Sequence, residues 1–407
     1  MDDSLEKIGV LCTVTKDFHF AGKPFSKPED FIVEEITSGG KALSTDKTNS
    51  TASIGEKKDF LVFTLVKKGL STQEAIRKLS RQLNISIKRF GYCGNKDKRA
   101  ITAQRLSVFK LSDDKLSIND DNMFLKDAEY SDRGCKIGDL YGNHFTIKIS
   151  DFAGTDEDIE EFTKQMKNGF PNFFGPQRFG SSSLNIEISK KALQKDFKGA
   201  IESFLVSARR ESPLASSSRQ KINAIFTRLQ SDGADKQAIS DKQKIFNEIN
   251  ELPGFMFSEK TVLIHLLEHR NDFIGAFRTV PKYFRLLILQ AYQSYLFNIV
   301  LSKAIKGKLD VVNLPTIGYD LNLESVSDER LRNIISETMS AAGVTAETFL
   351  IKPMPELSLK TFDREAFCKP EDLSYQRDGT DLILSFSLKK GQYATSLLIE
   401  MFKTYLF

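Results

Sequence analysis

The chain has no tryptophan, only four histidines and four cysteines among its 407 residues, and no long hydrophobic run without polar interruption. Each scarcity removes a class of function. Cys12, Cys93, Cys135 and Cys368 make no CxxC pair and no framework spacing, which argues against a disulfide scaffold and for four free thiols. Cys93 lies beside a basic segment, yet a packed, inert thiol is the expectation there. The most apolar stretch, Phe284 to Leu301, is interrupted by Arg285, Gln290, Gln293 and Asn298, so it reads as a buried amphipathic helix rather than a membrane span. No Walker A loop and no GxGxxG follows a strand, against nucleotide hydrolysis or a dinucleotide cofactor. The opening Met1-Asp2-Asp3-Ser4-Leu5-Glu6 is acidic without an apolar core, so no signal peptide is expected and the location expected is cytoplasmic.

What the chain does have is segregated charge. Its formal net charge is +4. Between Leu61 and Lys110 alone stand 12 Lys or Arg against Glu74 and Asp97, a local +10, which leaves about −6 for the rest. Such a window suits a polyanion. Asp97 is the lone acid of Gly94-Asn95-Lys96-Asp97-Lys98-Arg99-Ala100. Nearby cations favour an ionised carboxylate, which suits a nucleophile or charge stabiliser better than a general acid. A solvated ion-pair cluster on a turn would give the same pattern.

The length predicts two or three domains. Residues 38–58 are rich in Ser, Thr, Gly and Lys and read as a mobile loop. Phe60 to Val66 reads as a buried strand, and Ser71-Thr72-Gln73-Glu74 as a capping box opening a helix with Ile76, Leu79 and Leu83 on one face. Arg105 to Phe109 and His144 to Ile149 alternate like strands. From about 185 to 350 the periods become helical, with breaks near 212–218 and 231–235. Leu382, Leu384, Phe386 and Leu388 alternate again, before a helix carrying Leu397, Leu398, Met401, Phe402 and Tyr405. A strand-rich tail after a helical middle predicts that the middle is inserted and the tail rejoins the first sheet.

A second informative segment is Pro171-Asn172-Phe173-Phe174-Gly175-Pro176-Gln177-Arg178-Phe179-Gly180, a rigid loop in which Asn172, Gln177 and Arg178 could read a base edge or hold a phosphate. Stacking a base on an aromatic ring is worth roughly 1–3 kcal/mol; a buried aromatic turn is the plainer reading. His265-Leu266-Leu267-Glu268-His269 has the HxxEH spacing of inverted zinc peptidases. With only His19 and His144 besides, and no distal Glu specified, no metal is expected. Gly91-Tyr92-Cys93-Gly94 matches the GxxG of KH domains, a weak signal.

Six pieces in order resemble the TruD family of tRNA pseudouridine synthases: Lys27-Pro28-Glu29-Asp30-Phe31 through Glu35, Gly94 through Gln104, Gly142-Asn143-His144-Phe145, Asn172 through Gly180, Gln293 through Asn298, and Gly391-Gln392-Tyr393-Ala394-Thr395. The resemblance implies isomerisation of uridine to pseudouridine in tRNA, typically at position 13 of the D arm, with Asp97 essential and no metal or organic cofactor. It implies that Phe174 stacks on the target uracil, that Asn172 orients Asp97, and that Glu29 is an active-site acid. Gln177 and Arg178 join them as substrate contacts, and Lys96, Lys98, Arg99 and Lys27 are expected to hold RNA phosphates. The fold implied is α+β: a pseudouridine-synthase mixed sheet over residues 1–185 and 359–407, interrupted by a mainly helical insertion over 186–358. The expected partner is tRNA, with no protein partner and a monomer by default. One departure is that several members carry Lys where this chain has Phe25, between Lys23 and Lys27; a neighbour must supply that salt link if it is made. The competing reading, a noncatalytic RNA-binding protein on the same scaffold, would be marked by loss of the Asp, which is retained.

Overall fold

The computed structural model describes residues 3–47, 55–113, 116, 118, 120–209, 211–231 and 239–404. The expected loop at 38–58, the break at 231–235 and Tyr405 therefore lie partly or wholly outside the described residues. The chain divides into two compact units, Val14–Phe170 with Phe367–Leu406, and Pro171–Ala366 with the N-terminal residues through Thr13.

The first unit is built on a nine-stranded mixed sheet. Its strands are β1 (Ala21–Pro24), β2 (Phe31–Thr37), β3 (Phe60–Lys68), β4 (Phe90–Tyr92), β5 (Ile101–Phe109), β6 (Met123–Ser131), β7 (Leu140–Ala153), β8 (Glu371–Asp378) and β9 (Asp381–Lys389). Their order is β8-β9-β7-β2-β5-β3-β6, with β1 on β7 and β4 on β5. Only β2 and β5 run parallel, Ile32 facing Ile101. The tail does rejoin the sheet, since Phe386 pairs with Phe145 and Leu384 with Ile147. The period-two pattern places Phe145, Ile147, Ile149, Leu382, Leu384, Phe386 and Leu388 in one buried core, closed by helices Asp156–Lys167 and Ala394–Phe402. Gly142 occurs where β7 meets β9: a Cβ there would sit 2.1 Å from the Leu388 carbonyl oxygen. His144, two residues on in the motif, lies between the hydroxyls of Ser385 and Ser387 at 3.0 and 2.9 Å.

A second core lies under helix Thr72–Gln82, where Ile76, Leu79 and Leu83 pack on Leu61, Phe63 and Leu65 of β3. The capping box forms as expected: Ser71 accepts from Glu74 N, and the Glu74 carboxylate accepts from Ser71 N. In the last helix, Glu400 is 1% exposed and accepts from Val14 N, Thr15 N and the Thr15 hydroxyl.

The second unit is mainly helical, with Lys282–Lys306 as its longest helix, against which Leu184–Leu193 packs. No described helix is long and apolar enough to cross a membrane. Two expectations differ from what is found. The break at 212–218 is a helix start: Ser212 caps Ala215 N, Pro213 occupies the first turn, and the helix runs Pro213–Gln230. Pro at the first helical position loses no hydrogen bond, so Ser-Pro there begins a helix rather than ending one. The aromatic loop and residues 359–366, expected with the sheet from boundaries at 185 and 359, fold with the helices, as do the first thirteen residues. The Asn298 amide explains the grouping, donating to the carbonyls of Ile8 and Phe174 at 2.9 and 3.1 Å and accepting from Phe174 N at 2.8 Å.

Candidate active site

Asp97 sits in the connection between β4 and β5, half-buried. The backbone around it is pinned from four sides. Gln104 of β5 donates to the Gly94 carbonyl at 3.2 Å and accepts from the Thr72 hydroxyl, which in turn accepts from Lys96 N at 2.9 Å. The Lys67 ammonium, at the end of β3 and 1% exposed, donates to three carbonyls: Leu70 at 2.6 Å, Asp97 at 2.9 Å and Lys96 at 3.5 Å. Burial lowers the Lys67 pKa to about 8, against the raising pull of Asp97. The Lys96 ammonium turns inward to Glu35 of β2 at 2.7 Å, both side chains almost wholly buried, and the other Glu35 oxygen accepts from Arg105 N at 3.1 Å.

This geometry corrects one expectation. Lys96 does not present its charge to RNA phosphates: its ammonium is sealed in an ion pair, so its work is to hold the loop. Lys98 and Arg99 are exposed, as is Lys27. Lys98 reaches Glu74 at 2.7 Å. Burial raises the Glu74 pKa, but the hydrogen bonds from Lys98 and Ser71 outweigh it and bring the carboxyl down to about 2. Glu29, in the turn before β2, pairs with Lys68 of β3, whose hydrogen bond holds its carboxyl below the ordinary range. Lys68 is thus the cation on Glu29. Phe25 packs edge-on against Phe31 at 4.8 Å between ring centres, and Lys23 pairs with Asp151 at 2.9 Å.

The aromatic loop forms its own cluster in the helical unit. Phe174 is 2% exposed, edge-on to Phe297, with the guanidinium carbons of Arg364 and Arg178 lying 4.1 and 5.3 Å from its ring centre. The ring is therefore not an open stacking platform; a guanidinium already lies against it. Both polar atoms of the Asn172 amide are engaged locally, the nitrogen donating to the Glu365 carbonyl at 2.9 Å and the oxygen accepting from Arg364. Arg178 donates to Gln290 at 3.0 Å, while Gln177 is exposed. Sequence reading missed Arg364, Lys67, Lys68 and Glu35. For Lys67 and Lys68 a signal existed: two lysines end an otherwise apolar strand. Arg364, in the short strand Asp363–Glu365, carried none.

The decoys resolve into structure. His265 bonds Asp272, the N-cap of helix Phe273–Thr279, at 3.0 Å, and no metal-ligating cluster occurs among the described residues. Gly91 lies in β4, where a Cβ would meet the Cys135 carbonyl oxygen at 2.4 Å.

Comparison with known proteins gives the site a context. The family model described as tRNA pseudouridine synthase D (TruD) matches residues 7–314 and 304–401. A relative from Methanopyrus kandleri, named "Probable tRNA pseudouridine synthase D", is 31% identical, with 84% of each chain covered. One of the same name from Archaeoglobus fulgidus is 29% identical over 98% of this chain and 99% of its own. In fold, the chain resembles a crystal structure from Methanosarcina mazei assigned to the same family, at a TM-score of 0.69 and 24% identity, covering 98% of both chains. A family match of that extent, laid over the pinned Asp97 loop, places the chain in the tRNA pseudouridine synthase D (TruD) family, isomerases that convert uridine to pseudouridine in tRNA.

Proposed function

We propose that the protein isomerises uridine to pseudouridine in tRNA, at position 13 of the D arm, with Asp97 as the essential carboxylate. The observation that carries this reading is the immobilised loop. Two lysines and a glutamate are buried to fix the backbone of residues 94–97, a costly arrangement whose product is one half-exposed carboxylate in a set orientation. The reaction breaks the N1–C1′ bond, turns the uracil and forms a C5–C1′ bond; C5 gives up its proton and N1 takes one. Ionised Asp97 assists cleavage either by attacking C1′ or by taking a sugar proton to give a glycal. The target base must first leave the folded RNA, and Phe174 recovers part of that cost once Arg364 withdraws from its ring. Lys98, Arg99 and Lys27 hold phosphates, with Lys98 exchanging Glu74 for RNA. The helical unit is the family's insertion domain, and it sets which RNAs fit.

The test is incubation of an unmodified tRNA transcript with the protein and no added metal or nucleotide, followed by pseudouridine mapping. The native chain should modify one D-arm uridine, and Asp97→Asn should leave none while still binding the transcript. Product from Asp97→Asn would refute the role of Asp97. Tight binding without product from the native chain would leave the noncatalytic RNA-binding reading.

A further inference from the structure

Four residues before Asp97, Cys93 follows the end of β4, and its carbonyl accepts from Gly138 N at 2.8 Å. Cys135 lies in the segment before β7, its N–H donating to the Ser107 hydroxyl at 2.8 Å. The two backbones are drawn together at Gly91, where only hydrogen fits against the Cys135 carbonyl. As a result the two thiols, 42 residues apart in sequence, are brought close enough for each to shift the other's titration. Both line an open cavity of about 340 Å³, with Glu35, Arg105, Arg133 and Asp139 also on its wall. Glu35 is the same carboxylate that holds Lys96.

We propose that Cys93 and Cys135 form a peroxide-sensitive dithiol, a reversible modification site built against the wall of the Asp97 loop. The two sulfurs are not equivalent. The neighbouring Cys93 thiol, with the Ser107 hydroxyl and the charge of Arg105, lowers the Cys135 pKa despite burial, while the Cys135 thiol and burial push Cys93 up. Cys135 is half-buried and Cys93 is 3% exposed. Cys135 is therefore the attacking thiolate and Cys93 the resolving thiol. The Cys135 sulfur attacks one oxygen of hydrogen peroxide, the O–O bond breaks, and hydroxide leaves to be protonated to water. The resulting sulfenic acid is attacked by the Cys93 sulfur, expelling a second water and closing the disulfide. Two thiols and one peroxide thus give one disulfide and two waters, and a small dithiol restores the start. Closing a sulfur–sulfur bond of about 2 Å draws Cys93 toward Cys135, and through Gly94 it moves the loop. This last consequence for catalysis rests on the proposed role of Asp97; the disulfide does not.

The experiment is titration of the full reduced chain with hydrogen peroxide, read by non-reducing peptide mapping. One equivalent should remove two of four thiols and yield a 93–135 linked peptide that a dithiol reverses, leaving Cys12 and Cys368 free. Cys135→Ser should form no link to Cys93, and Cys93→Ser should accumulate a sulfenic acid at position 135 that a carbon nucleophile traps. Oxidation spread evenly over the four thiols, or Cys135 reacting no faster than free glutathione, would overturn the proposal in the unmutated protein, where folding of a variant is not at issue. Pseudouridine formation measured on the same samples separates the two readings: no product from the reduced protein counts against Asp97, not against the dithiol.

Discussion

Lys96 and Glu35 illustrate how a charged residue in a basic motif can serve structure. With both ends of the pair buried, removing one partner leaves an uncompensated charge, an effect of about 3–5 kcal/mol. Glu35→Gln should therefore lower the unfolding free energy by about that amount in a denaturant titration, whereas a surface role for Lys96 would predict a change within experimental error. Lys67 yields a pH signature. Its folded pKa of about 8 lies below the ordinary 10.5, so between those values the unfolded chain holds a proton that the native chain has released. Native stability should rise across that window relative to Lys67→Met. Turnover should move the opposite way, falling above about pH 8 as the neutral amine loosens its hold on the carbonyls of Asp97 and Leu70. A single-turnover pH profile of native chain and Lys67→Met checks this, since the variant should lack that alkaline limb. Asp97 could be singled out because the basic motif around it is local; Lys67, Glu35 and Arg364 could not, because their meaning lies in partners tens or hundreds of residues away.

Among the elements, helix Thr72–Gln82 ties local sequence signals to the site. Its capping box was readable from four residues, and the same first turn supplies Thr72 to Lys96 N and Glu74 to Lys98. Ser71→Ala should cost about 1 kcal/mol of stability and, by loosening that turn, slow single-turnover pseudouridine formation more than it weakens tRNA binding. With its pKa held near 2, Glu74 adds stability that is fully present above about pH 4.5 and fades as pH falls through 2. The strands were legible from their alternation, as with Leu382, Leu384, Phe386 and Leu388. Their pairing was not, since nothing local in Ile32 or Ile101 announces that β2 and β5 run parallel. The Ser212-Pro213 start misled for a related reason: the same residues open helices and interrupt them, and the following register decides.

At the scale of the whole chain, the charge segregation read from sequence is partly neutralised by folding. Of the basic window, Lys68, Lys78, Lys96, Lys98 and Arg105 find acids at Glu29, Asp120, Glu35, Glu74 and Glu129. The salt dependence of tRNA binding should accordingly be shallower than twelve cations imply. Lys98→Ala and Arg99→Ala should each reduce the slope of log affinity against log salt by about 1, and Lys96→Met should leave the slope unchanged. Filter-binding across a salt series would separate Lys96→Met from the other two.

The pairing of β7 with β9 also sets a schedule for synthesis. More than two hundred residues separate Ala153 from Asp381, so as the chain leaves the ribosome the edge of β7 that receives β9 waits for the entire helical unit to be made. At about 5–20 residues per second, that edge stays open for roughly 10–50 s, time in which it can template another chain. Slow translation near the end of the message should raise aggregation of this protein more than slowing near its start.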